Sequence, residues 1–288
     1  MIKRLLGLYK NRNDNTFQLI KKYHDNGRVA WSVGYAEYKE SFITESISNL
    51  SLLNDFKISK RIKDFGIGLD ERCVEYPWVL SRIGEDSKML LDAGSTFNYE
   101  YILNSEVLRD KNLIIYTYFP ESHCFYQKKV SYVFGDLREM CFNQETFDLV
   151  VCQSTLEHID MDNSIYGYGR IEEPRVGKSY EYIKAINEML RVLKSKGKLL
   201  ITVPFGKFEN HGFFQQFDKE MLERLKEALA DSGDMMTTFF KYEKTGWRIA
   251  SEEELDFVNS YNPHTGIGKG DDGAAHCRSI ACVEFLKS

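Results

Sequence analysis

No Cys-x-x-Cys pair, no long apolar run and no dominant charge occur in this chain of 288 residues. The cysteines stand apart at Cys73, Cys124, Cys141, Cys152, Cys277 and Cys282, and Cys152 lies inside an apolar run. That pattern favours reduced core thiols over disulfides or a zinc site. No stretch approaches a membrane span of about 20 apolar residues. The basic start, Met1 to Lys10, carries an apolar run too short for a signal-peptide core, so the expectation is a soluble, cytoplasmic protein. Lys plus Arg number 38 and Asp plus Glu 43, for a net charge of -5. This balance argues against a generally basic nucleic-acid-binding surface. What is present is core material: 43% hydrophobic and 14% aromatic residues, enough for one sizeable domain or a main domain with an added lobe.

Residues 1–68 have mixed helical patterning and an aromatic, basic group, Trp31, Tyr35, Tyr38 and Lys39. The segment reads either as a cap over a pocket or as helices packed on the main domain through their rings. A second segment, Gly68 to Leu80, has Asp70 as a candidate N-cap and Pro77 as a kink, and brings Arg72, Glu75 and Tyr76 to the following domain. From Lys88 the pattern alternates. Lys88–Gly94, Asn112–Tyr118, Val130–Phe134, Phe147–Cys152 and Lys198–Val203 read as strands. Tyr99–Leu108, Tyr180–Leu193 and Asp218–Leu229 read as helices. This order predicts an α/β, doubly wound, Rossmann-like parallel sheet. Met235–Tyr242, Trp247–Ala250, a short acidic helix and Arg278–Leu286 follow, and two strand-like segments late in the chain fit a sheet finished by an antiparallel, hairpin-like pair. The glycine-rich loop Thr265–Gly273 has no confident strand before it and no helix after it, and reads as a surface loop.

Open α/β sheets place ligands past the carboxyl ends of their strands. Leu91-Asp-Ala-Gly-Ser-Thr-Phe-Asn98 supplies an acid and one glycine there, with Thr96 and Asn98 where further glycines would let a ligand approach the helix N-terminus. Gly135-Asp136-Leu137 adds a carboxylate able to accept a hydrogen bond from a nucleobase amino group, or to serve a turn. Phe147-Asp-Leu-Val-Val-Cys-Gln-Ser-Thr-Leu-Glu-His-Ile159 ends a buried strand in a polar cluster with Gln153 at its edge.

Together these residues resemble the class I S-adenosylmethionine-dependent methyltransferases, in the branch whose fourth strand ends in Leu-Glu-His-Ile. The resemblance covers residues 70–286 and rests on Leu91-Asp-Ala-Gly94, Gly135-Asp136, Leu156-Glu-His-Ile159 and Arg191-Val-Leu-Lys-x-x-Gly-Lys-Leu-Leu-Ile-Thr-Val-Pro204. It implies a seven-stranded sheet with the final strand antiparallel, and the chain divides into an N-terminal helical, aromatic cap segment, 1–68, and a 69–288 methyltransferase-like domain with lid insertions near 160–178 and 205–217. It also implies S-adenosylmethionine bound across the tips of strands one, two and four. Asp92, Gly94 and Ser95 would contact the methionine moiety, with Asn98 in the same loop. Asp136 and the Leu137 backbone would hold the adenine, and Gln153 the sulfonium side. The acid that ends strand two in the family is missing, and Glu121, beyond Pro120, is the nearest substitute.

Methyl transfer depends on aligning a lone pair with an electrophilic methyl, and a base is needed only for a poorly acidic acceptor. The candidate bases are His158, which could instead pack or cap, His211, which could be an ordinary loop residue, and Asp162. Asp160 and Asp162 lack a histidine at ligand spacing and read as solvated carboxylates rather than a metal site. The polar, aromatic segment from Asp160 to Lys178 suits a small polyhydroxylated acceptor, and the resemblance leans towards sugars or surface-polysaccharide precursors. The alternative is a catalytically inactive, methyltransferase-like binding or scaffold domain, suggested by the missing glycines and acid. A nicotinamide enzyme is disfavoured because Gly-x-Gly-x-x-Gly does not follow the first strand.

Overall fold

The computed structural model describes residues 14–60, 62–167 and 176–288. Four helices precede the sheet: α1 (Asp14–Asp25), α2 (Tyr35–Ser48), α3 (Leu50–Lys57) and α4 (Arg72–Leu80). Gly34 opens α2 with φ +88°, and a Cβ there would lie 1.9 Å from the Leu19 carbonyl oxygen of α1. Only glycine lets the two helices approach this closely. Asn49 caps α3 by accepting the Leu52 N–H at 3.1 Å. At the start of α4, Asp70 accepts the Arg72 N–H, and its other oxygen takes Tyr35 and Lys39.

The strands are β1 (Met89–Ala93), β2 (Asn112–Thr117), β3 (Val130–Phe134), β4 (Phe147–Gln153), β5 (Leu193–Pro204), the two-residue pair β6 (Glu209–Asn210) and β7 (Gln215–Gln216), then β8 (Gly233–Glu243), β9 (Gly246–Ala250) and β10 (Ser279–Lys287). The main sheet runs β3-β2-β1-β4-β5-β10-β8-β9. Its first five neighbours are parallel, and β10 is antiparallel to both β5 and β8. The chain order reverses direction between β1 and β4, which is where a doubly wound sheet opens its crevice.

Alternating strand residues feed two cores, as the two-residue period of a strand requires. On one face Leu90, Ile115, Val151 and Leu200 pack with Tyr23, Phe42, Phe56 and Trp78 of the four early helices. On the other, Leu91, Val150, Ile201 and Val283 pack with Ile186 and Met189 of α6 (Tyr182–Val192) and Leu222 and Leu225 of α7 (Lys219–Ala230). The early helices therefore form one outer layer of the sandwich.

The fold agrees with the expected doubly wound sheet and its antiparallel last strand, with three differences. The sheet has eight strands rather than seven, because the hairpin strand β9 pairs on β8. Its far edge is met by the N-terminal segment, where Phe65 and Trp247 exchange backbone hydrogen bonds and Ile249 donates to the Ile62 carbonyl. The run from Tyr99 to Leu108 does not form one helix: it gives a single turn, α5 (Glu100–Leu103), then a 3-10 turn at Glu106–Leu108. Asn104 and Ser105 break it, as short polar residues that compete for backbone hydrogen bonds do. Among the described residues, no helix is long and apolar enough to cross a membrane.

Candidate active site

A cavity of about 680 Å³ opens at the carboxyl ends of β1 to β4. It collects Gly94, Ser95 and Thr96 after β1, Thr117 to His123 after β2, Gly135 to Arg138 after β3, and Ser154, Thr155 and His158 after β4. Arg72 and Tyr76 of α4 close it, with Tyr99, Asp160, Asn163 and Tyr166. A smaller space of about 220 Å³ adjoins it and shares Ser95, Thr117, Glu121 and His123, with Asn98 and Tyr132 added. Three rim residues that are not glycine have left-handed backbones: Ser95 at φ +64°, Ser154 at +40° and Asp160 at +64°. Such strain is characteristic of sites where the surrounding structure fixes a loop for a purpose.

Asp92 shapes the first loop from within. It is fully buried; its oxygens accept the Phe97 N–H at 2.7 Å, the Thr96 N–H at 3.2 Å and the Thr96 hydroxyl at 3.1 Å. Burial raises its pKa to about 6, against the opposing pull of those hydrogen bonds. It does not line the cavity, so the expected direct contact with a methionine moiety gives way to a loop-holding role. Gly94, at φ +132°, would bring a Cβ within 2.0 Å of Thr155 Oγ1. The glycine thus admits the β4 loop against the β1 loop. Ser95 lines the cavity with a buried hydroxyl that has no protein partner.

Glu121, the expected substitute for the acid missing from the end of β2, lies at the cavity wall. Glu121 lines both spaces and accepts the Asn98 amide N–H at 2.7 Å, and Asn98 in turn accepts the Tyr132 hydroxyl at 2.8 Å. Asn98 therefore positions Glu121 from the smaller space. Asp136 and Leu137 lie on the rim. Burial works to raise the Asp136 carboxyl, but the Arg138 hydrogen bonds and charge outweigh it and hold the group below its usual range. Gln153 departs from expectation. It is fully buried, does not line the cavity, and both of its side-chain polar atoms lack a protein partner.

Within Leu156-Glu-His-Ile159 the two ionisable residues part company. Glu157 is buried, and burial pushes its carboxyl well above the carboxylate range. His158 lines the cavity, with Nδ1 2.8 Å from the Phe213 carbonyl oxygen and its ring edge-on to Tyr166. Burial lowers its pKa to about 4, so the ring is neutral at pH 7. A neutral ring facing a carbonyl carries its proton on Nδ1, leaving Nε2 as an acceptor.

The other two candidate bases are elsewhere. The His211 ring stacks on Phe214 at 4.6 Å, its Nε2 meets the Ser260 hydroxyl at 2.8 Å, and it does not line the cavity. Asp162 accepts the Ser164 N–H in a local turn and is also absent from the wall. The 205–217 segment supports His158 from behind through Phe213 rather than covering the pocket. Of the 160–178 segment, Asp160, Met161, Asn163 and Tyr166 do line it, while 168–175 lie outside the described residues. None of Trp31, Tyr35, Tyr38 and Lys39 reaches the wall.

Besides Arg138, a second arginine reaches the cavity wall from α4. Arg72 pairs with Glu75 at 2.9 Å, and the other Glu75 oxygen accepts the Ser154 and Thr202 hydroxyls. Glu75 thereby ties α4 to the ends of β4 and β5. Arg72 and Tyr76 stood out in the sequence only as polar groups next to the sheet domain, and no motif placed them in the pocket.

Residues 118–201, from just past β2 into β5, match the sequence family described as "Methyltransferase domain". Over that stretch, which is less than half of the chain, the protein is similar to methyltransferase domains. An uncharacterised protein of Methanocaldococcus jannaschii is 29% identical over 136 residues, which are 46% of this chain and 49% of that protein. The chain thus spans about half the length of this curated relative. Among solved structures, YcgJ of Bacillus subtilis is 13% identical with a TM-score of 0.46, covering 74% of this chain and 97% of its own. The N-methyltransferase NodS of Bradyrhizobium japonicum, solved with S-adenosylhomocysteine, is 10% identical with a TM-score of 0.41, covering 86% and 98%. The 1,6-didemethyltoxoflavin-N1-methyltransferase of Burkholderia thailandensis is 12% identical with a TM-score of 0.44, covering 95% and 87%. The methyltransferase domain match includes Glu121, Asp136 and His158, and excludes Asp92 and Arg72.

Proposed function

We propose that the chain transfers a methyl group from S-adenosylmethionine to a small polar acceptor, foremost a hydroxyl of a sugar or surface-polysaccharide precursor. One observation carries the reading: the ends of four neighbouring parallel strands open into a single cavity of about 680 Å³, within the range of about 300–1,000 Å³ that small-molecule sites occupy. The donor supplies an electrophilic methyl on a sulfonium. Glu121 is the group for ribose hydroxyls, Asp136 and Leu137 for the adenine edge, and the unpartnered Ser95 hydroxyl for a polar group near β1. Asp92 acts through the loop it holds. His158 Nε2 accepts the proton of an acceptor hydroxyl, with the Phe213 carbonyl fixing the ring. Tyr76, Tyr99 and Tyr166 offer ring faces beside Asn163, Asp160 and Arg72, a mixture of flat apolar and hydrogen-bonding surface that suits a sugar.

Calorimetry with S-adenosylhomocysteine tests the donor, and a labelled methyl donor with nucleotide sugars and sugar phosphates tests the acceptor. No heat at millimolar ligand would sink the proposal. Binding without methylation of any acceptor would favour the binding or scaffold alternative, and methylation of amines alone would overturn the sugar reading.

A further inference from the structure

We infer that Glu71, His276 and Cys277 form a site for one borderline-soft divalent ion, of which Zn²⁺ is the natural choice. Glu71 immediately precedes α4, whereas His276 and Cys277 lie just before β10. Their ligating atoms all fall within 4.8 Å of one another. The closest pair, Glu71 Oε1 and His276 Nδ1, is 3.0 Å apart. Metal–ligand bonds of about 2.0–2.2 Å at tetrahedral angles place two such atoms about 3.3 Å apart, so an ion fits between them with little movement. The backbone bends at His276, which lets two adjacent side chains turn towards one point.

The unfilled bonding capacity of the trio points to a ligand. Glu71 is only 7% exposed, and its second oxygen is buried with no protein partner. A carboxylate gripping an ion through both oxygens would satisfy it. Cys277, the third member, is 1% exposed. Buried polar atoms are nearly always bonded, and here the orphaned oxygen belongs to a carboxylate grouped with an imidazole and a buried thiol. Thiolate, imidazole and carboxylate together select Zn²⁺ or its close chemical relatives over Mg²⁺ or Ca²⁺. The absence of Cys-x-x-Cys hid the group, because its members are 205 positions apart in the chain. An ion here would clip the start of α4 to β10 and hold the residue next to Arg72, at the cavity wall. The inference stands apart from the methyl-transfer reading, since its readout is metal.

The test uses the full chain. Metal-free protein is titrated with Zn²⁺ for stoichiometry and with Co²⁺ for its spectrum, alongside Cys277→Ser and His276→Gln. The expected result is about one ion per chain, a sulfur-to-cobalt charge-transfer band that Cys277→Ser abolishes, and affinity lowered about tenfold or more in each variant. Chelator should lower the melting temperature of the wild type. If wild-type protein takes up no Zn²⁺ and its melting temperature ignores both metal and chelator, the site does not exist. A cobalt spectrum without the charge-transfer band, or one unchanged in Cys277→Ser, also overturns it. Both results come from protein that folds even if His276→Gln does not.

Discussion

Asp92→Asn isolates the carboxylate that holds the first loop, and its effect should depend on pH with a definite sign. In the folded protein burial raises the Asp92 pKa to about 6, whereas in the unfolded chain it returns to about 3.9. Between these values the folded state binds a proton that the unfolded state does not. The stability this contributes is present in full below the unfolded value and is lost as pH rises through about 6. A displacement of about two pH units corresponds to about 3 kcal/mol. The Asn variant has no such titration. It also turns an amide donor towards one of the N–H groups that Asp92 now accepts, which costs about 1–3 kcal/mol, while removing a buried charge. At pH 8 these two changes oppose each other. Between pH 8 and pH 4 the wild type should gain about 2.4 kcal/mol on the variant. Urea unfolding of both proteins across that range measures the gap, and the titration of His158 cancels because both carry it. A gap constant to within about 1 kcal/mol would refute the assignment of a buried, proton-binding Asp92.

Further outcomes follow from other residues. Because burial lowers His158 to about 4, wild-type kcat/KM should stay level from pH 8 towards pH 5 and fall only near 4, and His158→Gln should lower kcat about 10²- to 10⁴-fold; a limb at the ordinary histidine value would contradict the buried, neutral ring. Glu121→Gln should weaken S-adenosylhomocysteine binding by about 1.5–3 kcal/mol in calorimetry, the worth of a charge-assisted hydrogen bond, and unchanged affinity would remove Glu121 from the ribose site. Gly94→Ala should destabilise the fold by about 2 kcal/mol or more through overpacking and a disfavoured φ. Adding Thr155→Ala should recover part of that loss, and no recovery would show that the contact with Thr155 is not what limits position 94.

The strands of the sheet centre were readable because they are covered on both sides. Of these, β4 extends its expected run by one residue, to Gln153, while Val130–Phe134, a partly exposed strand at the sheet edge, also has the expected bounds. Tyr182–Val192 was legible from its apolar spacing, since one side faces the sheet and the other water. The sequence under-read β5, whose pairing extends back to Leu193 through a polar Lys-Ser-Lys stretch with no strand signature. The site was legible in proportion to how local it is. Ser95, Glu121, Asp136 and His158 each lie within a few residues of a strand end, so locating the strand located the residue. Arg72 and Tyr76 were not assigned to the wall because α4 comes before any strand and reaches it only through tertiary packing. Gln153 and His211 show the opposite failure: polar type and proximity to a strand end suggested a role, but neither reveals on which side of a loop a side chain turns.

The pairing of Phe65 with Trp247 has a bearing on how this protein can be cut. β9 is the last strand on its side, and the backbone around Ile62 and Phe65 occupies part of its outer rim. A shortened chain starting at Leu69 would bare that rim together with the apolar surface that Phe42 and Phe56 now cover, and bared strand rims recruit other strands. Such a fragment should leave solution as aggregates instead of behaving as a smaller folded protein.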